Sequence, residues 1–156
     1  MKYTQKIAPI PFTEDGYKQL LKEKEALLAR RPGIVDELRR AREMGDLSEN
    51  GMYKGARMSL SSLDSRIRHL THLIRYAVII EEKKDGTVRL GCIVVLKQDT
   101  KEITYAIVGE HESDSLNGKI SAKSPLGKAM IGKKIGDTIL FHAPKGEITY
   151  YITDIK

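Results

Sequence analysis

The residues with the chemistry to act on a substrate are few, and two of them stand together: Asp46 and Glu49, in the run Gly45-Asp46-Leu47-Ser48-Glu49-Asn50. Magnesium commonly takes one or two protein carboxylates and fills the rest of its octahedron with water or phosphate oxygens. Two carboxylates alone hold it weakly. As a metal site this pair is therefore half of one, completed by a partner's ligands and a phosphodiester. The same spacing fits a capping box, with Asp46 accepting at the start of a helix and the acid three residues later reaching back. Acids in a first helical turn are also favoured by the positive end of the helix dipole. The spacing by itself favours the cap. Gly51 and Gly55 make a cap more necessary, because each glycine costs a helix interior about 1 kcal/mol relative to alanine.

Basic residues flank this stretch: Arg39, Arg40 and Arg42 before it, Lys54 and Arg57 after it. They carry the charge to neutralise a nucleic-acid backbone. Glu37, Glu43 and Asp64 interleave with the wider basic set, so solvated helix faces with i, i+4 ion pairs are the competing reading. Other constellations are weaker. His69 and His72 lie three apart without a third ligand nearby, and Cys92 sits in an apolar stretch where a buried, inert thiol is expected. The sequence holds no nucleotide-binding glycine loop, no Cys/His cluster at zinc spacing and no visible Ser-His-Asp set.

The elements that must position these residues follow from the periodicity. After Pro9 and Pro11, Thr13 is the expected N-cap of a helix whose apolar stripe runs through Tyr17, Leu20, Leu21, Leu27, Leu28, Ile34, Val35, Leu38 and Ala41. Pro32 and Gly33 interrupt it, which predicts a kink or local break. Tyr53, Ala56, Leu60, Leu63, Ile67, Leu70, Ile74 and Ala77 follow at alternating steps of three and four, a heptad seam. The short Met44-to-Ser48 link forces the two helices antiparallel, in arms of about 30 residues and roughly 45 Å at ~1.5 Å per residue. From Tyr76 the pattern changes to β-branched runs, predicting strands at Val78 to Glu82, Gly91 to Lys97, Ile103 to Gly109, Thr138 to Ala143 and Ile148 to Ile155. Asp85-Gly86, Asn117-Gly118 and Lys145-Gly146 supply turn chemistry for hairpins, and Ser124-Pro125 starts a short helix to Ile131. The fold class is α+β: an antiparallel α-helical coiled-coil hairpin over 1–77, then a small domain over 78–156 with a mainly antiparallel sheet and one short helix.

The charge balance suggests a polyanionic partner such as nucleic acid, with a solvated surface the commoner explanation of such an excess. The chain has 156 residues with 27 Lys+Arg against 21 Asp+Glu, a formal +6. Residues 1–76 hold 15 basic and 10 acidic residues, and the remainder 12 and 11, so the first half carries +5 and the second +1. One cysteine excludes an internal disulfide framework, and the Lys2 to Phe12 start has no signal-peptide core, so the cytoplasm is the expected compartment. No apolar run reaches the ~18 residues that cross a bilayer.

Several stretches together are specific: Thr13-Glu14-Asp15-Gly16-Tyr17, Arg30-Arg31-Pro32, Ala41 to Asn50 with Tyr53, Ile107-Val108-Gly109, Ile120 to Ala129 with its Ser-Pro-Leu-Gly-Lys run, and Ile131 to Asp137. Nearly the whole chain resembles the bacterial Gre-family transcript cleavage factors, GreA and GreB. The resemblance implies a DNA-binding transcription elongation factor that acts as a monomer, without a membrane. Its coiled coil enters the secondary channel of RNA polymerase, and its FKBP-like second domain docks on the channel rim through Ser124 and Pro125. It also reverses the reading of the tip. By the resemblance, Asp46 and Glu49 help hold a catalytic Mg2+ shared with the polymerase, so that backtracked RNA is hydrolysed near its 3′ end by two-metal chemistry and arrested complexes are rescued. Tyr53 lies near the reacting region, and Arg39, Arg42, Lys54 and Arg57 hold the nascent RNA 3′ segment. The protein then has no cofactor of its own and is no enzyme alone. Lys123 stands where some relatives carry an acid or an amide, and Gly51 and Met52 replace the alanine and acid that often follow Glu-Asn. Two rival classes are a secondary-channel inhibitor of the same fold, opposed by the retention of both acids, and an FKBP-type prolyl isomerase. The isomerase pocket is normally lined by aromatics, and this half offers only Tyr105, Phe141, Tyr150 and Tyr151.

Overall fold

The structure is a computed structural model that describes residues 8–44, 51–81, 85–143 and 146–156. Its elements in chain order are β1 (Ile10–Phe12), α1 (Glu14–Glu43), α2 (Gly51–Tyr76), β2 (Ala77–Ile79), β3 (Ile93–Gln98), β4 (Lys101–Val108), β5 (Lys119–Ser121), α3 (Pro125–Met130), β6 (Thr138–Ala143) and β7 (Gly146–Ile155). The chain divides into two compact units, one of residues 1–8 and 17–77, the other of 9–16 and 78–156. The sequence alone placed a single division at residue 77. Here Pro9–Gly16, including the first turn of α1, clusters with the second unit.

In the first unit the heptad residues of α2 are shielded throughout, with Leu63 and Leu70 buried, while Met52 and Met58 off the seam are exposed. On α1 the stripe narrows. Leu20, Ile34 and Ala41 are buried, but Leu21, Leu28 and Val35 are 38–47% exposed, because a single partner helix covers a narrower strip than the apolar residues occupy. Arg31 forks onto the Asp64 carboxylate at 2.7 and 3.2 Å, and Arg66 onto Glu23 at 2.7 and 2.9 Å. The partners run in opposite order along the two helices, which sets them antiparallel. The Arg31 hydrogen bond holds the Asp64 carboxyl below the usual aspartate range. Asp64 thus bridges the arms rather than pairing along its own helix. The expected break at Pro32 does not occur, and α1 runs on as one helix to Glu43. Pro32 and Gly33 are exposed, so solvent reaches the Leu28 carbonyl that the proline leaves without an amide partner.

In the second unit, β5-β4-β3-β7-β6 form one sheet, antiparallel except between β4 and β5, and β1 pairs with β2 in a two-stranded sheet. The core comprises Val88, Val94, Leu96, Ile107, Met130, Ile139, Tyr150 and Ile152. Period-two burial is plain in β7, where Tyr150 and Ile152 are buried and Tyr151 and Thr153 exposed. Two short strands escape local patterning: β1, whose Pro11 is tolerated in a two-stranded edge sheet, and β5, only three residues long. Two of the three expected hairpin turns have other jobs. Gly86 and Gly118 do adopt left-handed φ of 73° and 70°, yet Asp85-Gly86 joins strands of different sheets, and Gly118 closes the 3-10 turn Ser115–Asn117 that leads into parallel β5. Strands β6 and β7 pair antiparallel with Ala143 opposite Gly146, and Lys145 of the expected turn lies outside the described residues. Strands β3 and β4 turn instead at Asp99, φ 52°, a conformation aspartate tolerates. Among the described residues no helix is long and apolar enough to cross a membrane.

A Cβ added at Gly33 or Gly55 meets nothing within 4 Å. Gly33→Ala and Gly55→Ala are therefore expected to raise stability by ~0.5–1 kcal/mol each, whereas Leu70→Ala, at a side chain with 0% exposure, lowers it by about 2–5 kcal/mol. Urea unfolding followed by far-UV circular dichroism reads all three.

Candidate functional site at the hairpin turn

Asp46 and Glu49, and with them the expected capping box, lie outside the described residues. What the structure describes is their frame: α1 ends at Glu43, and α2 begins at Gly51. Across this frame the Arg42 guanidinium carbon lies 5.7 Å from the centroid of the half-buried Tyr53 ring. A cation over an aromatic face at an exposed site contributes about 0.5–1 kcal/mol, and here it ties the last turn of α1 to the first turn of α2. Tyr53 and Arg42 are thus brought together by the fold.

The four basic residues differ in what their charge already meets. Arg39 is shared between Asp36 at 3.4 Å and Glu43 at 3.9 Å on its own helix, so at this position the solvated ion-pair reading describes the structure. Arg42, Lys54 and Arg57 are exposed and make no ion pair among the described residues. Val35, Leu38, Arg39, Arg42 and Glu43 line an open groove of about 460 Å³ on α1.

In the second unit, Ser124 caps α3 with Pro125 at its first position, as the sequence predicts. The Ser124 hydroxyl accepts the Gly127 amide at 3.0 Å and donates to the Ser121 carbonyl at 2.7 Å. A Cβ on Gly127 would lie 2.0 Å from that same carbonyl, so this turn is closely packed. Ser124 is committed to the fold, while Pro125 is exposed. Lys123 Nζ donates to Glu110 Oε2 at 2.7 Å.

The weaker candidates resolve as structural. His72 packs on Tyr76 with ring centroids 4.8 Å apart, and no group of three metal-ligating residues exists among the described residues. Cys92 is half-buried against the core, and its thiol donates to the Thr87 carbonyl at 3.9 Å. Tyr150 is buried in the core, and Tyr105 and Phe141 pack against it. Burial, with Tyr150 a lesser contributor, pushes the Tyr105 hydroxyl's pKa up. Of the four aromatics an isomerase pocket could use, Tyr105, Phe141 and Tyr150 are taken up by the core and Tyr151 is exposed. Sequence reasoning missed Glu112, whose carboxylate accepts from Thr13 across 99 residues of chain. Thr13 was legible as a cap, but nothing local points to its partner.

The described residues thus form a helical hairpin and, after it in the chain, a small, mostly antiparallel sheet domain. The family model "Transcription elongation factor, N-terminal" matches residues 10–79, and "Transcription elongation factor, GreA/GreB, C-term" matches 82–156. The chain belongs to the GreA/GreB family of transcription elongation factors. It is 43% identical to transcription elongation factor GreA of Rhodospirillum rubrum over 94% of this chain and 97% of that one. It is 40% identical to GreA of Nitratiruptor sp. over 93% and 91%. The crystal structure of GreA factor homolog 1 (Gfh1) of Thermus thermophilus, 26% identical, aligns over 95% of this chain and 99% of its own with a TM-score of 0.45.

The hydrogen bond and charge of Lys123 hold the Glu110 carboxyl below the usual glutamate range. Because the folded value is depressed, the pair's contribution to stability is present above the unfolded pKa and lost as pH falls through the folded one. In a carboxylate NMR titration Glu110 should titrate below an ordinary glutamate and move back up in Lys123→Ala. An unmoved midpoint would assign the depression to another cause.

Proposed function

We propose that this protein inserts the hairpin turn into the secondary channel of RNA polymerase and stimulates the polymerase's own cleavage of backtracked RNA. The observation that carries the reading is the retention of both acids, Asp46 and Glu49, at the turn of a chain matched in both halves by this family. Two carboxylates are hard oxygen donors that fit magnesium. Bound jointly with polymerase residues and the phosphodiester, the metal supplies charge stabilisation and an activated water. This chain's part is to bring two anionic side chains to the reacting phosphate and keep them there. Arg42 and Tyr53 brace the helix ends beside them. Arg42, Lys54 and Arg57 hold the extruded RNA by its phosphates, with Arg39, already shared by two acids, contributing least. Pro125, presented by the Ser124 cap, meets the channel rim. The protein acts as a monomer in the cytoplasm, where transcription occurs in bacteria.

Charge separates this role from capping. Asparagine caps a helix about as well as aspartate, and glutamine serves in a capping box. Asp46→Asn and Glu49→Gln should therefore leave the thermal midpoint and competition for the channel near parent values. Each should lower cleavage of 3′-labelled RNA in stalled complexes by about tenfold or more, ~1.4 kcal/mol of transition-state stabilisation. Full cleavage by the double variant ends the metal reading. Competition without cleavage by the parent protein identifies the inhibitor class instead. Free RNA incubated with the protein and magnesium should stay intact.

The basic residues are tested by salt. Arg42→Gln combined with Lys54→Gln removes two phosphate contacts, and the slope of log affinity against log salt should flatten by about 1.4 for a single strand. A loss of affinity with an unchanged slope would point to folding damage.

A further inference from the structure

Residues 115–136 hold five lysines and no acid, a local +5, while the rest of 77–156 sums to −4. Within this stretch the backbone is pinned and the side chains it displays point away from the core. On α3, Gly127 and Met130 are buried, which turns Pro125 and Lys128 outward, and both are exposed. Beyond α3 the Lys133 amide donates to the Met130 carbonyl at 3.1 Å, the Val88 amide to the Lys133 carbonyl at 2.8 Å, and the Lys134 amide to Asp137 Oδ2 at 2.8 Å. The displayed residues alternate carbon with charge: Pro125, Lys128, Ile131, Lys134 and Ile135, with Ile131 40% and Ile135 55% exposed. Lys123, just before them, already meets Glu110 at 2.7 Å, whereas Lys128 and Lys134 make no ion pair among the described residues.

We propose that Pro125, Lys128, Ile131, Lys134 and Ile135 form one docking strip for an acidic protein surface, an apolar patch rimmed by carboxylates, and that RNA polymerase carries that surface. The choice of polymerase rests on the functional reading above; the acidity of its surface follows from the strip. Composition selects protein over nucleic acid. Phosphates are met by cations alone, and bases by arginine forks or aromatic faces, yet residues 123–135 include neither an arginine nor an aromatic. Exposed isoleucines gain nothing from phosphates. Against an apolar patch they are removed from water, while lysines at the edge meet carboxylates and fix the orientation of approach. Binding through such a strip has one part that salt screens and one part that it does not.

The test displaces labelled parent chain from RNA polymerase with full-length variants at two salt concentrations. Lys128→Glu combined with Lys134→Glu should weaken binding by about tenfold or more in ~50 mM salt and by less than about threefold in ~0.5 M, where exposed charges are screened. Ile131→Ser combined with Ile135→Ser should weaken it by about three- to tenfold at both concentrations, because the lost term is apolar burial. Lys101→Glu alters an exposed lysine of β4 outside the strip and changes the net charge as much as Lys128→Glu alone, yet it should stay within about twofold of the parent. If the double reversal loses the parent's circular dichroism, Lys128→Gln with Lys134→Gln decides, since glutamine matches lysine in helix propensity; it should weaken low-salt binding by about threefold or more. Parent-like low-salt affinity in the lysine variants, or a loss in Lys101→Glu as large as in Lys128→Glu, overturns the proposal. So does a loss seen only with duplex DNA or single-stranded RNA, titrated in parallel with the same proteins, which assigns the strip to phosphates. A labelled parent that does not bind polymerase at all defeats the functional reading, and polymerase as the strip's partner with it.

Discussion

A two-helix hairpin has one apolar seam and nothing else to bury, and the first unit of this protein depends on that seam. Leu63 and Leu70 on α2 and Ile34 and Ala41 on α1 lose nearly all contact with water, while apolar residues a third of a turn away stay exposed. Burial of so narrow a strip is worth ~25 cal/mol per Å², so register matters more than total area. The bidentate pairs Arg31–Asp64 and Glu23–Arg66 stand on the flanks of the seam. Exposed pairs of this kind add little stability, but each tolerates only one register. A seam on one side also explains why Pro32 is harmless, since the lost hydrogen bond falls on a side open to solvent.

The second unit solves the opposite problem, a closed core in a small volume. Val88, Val94, Leu96, Ile107, Met130, Ile139, Tyr150 and Ile152 are spent on packing, and hydroxyls and carboxylates close turns: Ser124 on Gly127 and Ser121, Asp114 on Leu116 and Asn117, Glu112 on Thr13 and Gly109. Tight turns leave no room for added carbon, as the 2.0 Å approach at Gly127 shows.

Between these two designs lies a division of labour for charge. Near the hairpin turn Arg39 pairs with acids of its own helix, whereas Arg42, Lys54 and Arg57 make no ion pair among the described residues. Asp46 and Glu49 are too few to make a magnesium site by themselves, which ties any chemistry they perform to a complex that supplies the remaining ligands.

Local periodicity determined the elements that local forces make. The heptad steps from Tyr53 to Ala77 specify one buried face, Thr13 and Ser124 cap the helices they precede, and β-branched alternation marks the longer strands. The acids and their basic flank are read from residue type and spacing alone, and the acids lie outside the described residues, whereas the run of motifs shared with the family was legible directly. Tertiary structure decided what only distant parts of the chain can decide. The order β5-β4-β3-β7-β6, the parallel pairing of a three-residue β5, and the use of Asp85-Gly86 and Asn117-Gly118 outside hairpins all depend on which strands meet. A turn residue encodes its own φ, not the strands it will join. The placing of Arg42 over Tyr53 and the grip of Glu112 on Thr13 have the same origin: a side chain's chemistry is local, but its partner is chosen by the folded path of the backbone, here across as many as 99 residues.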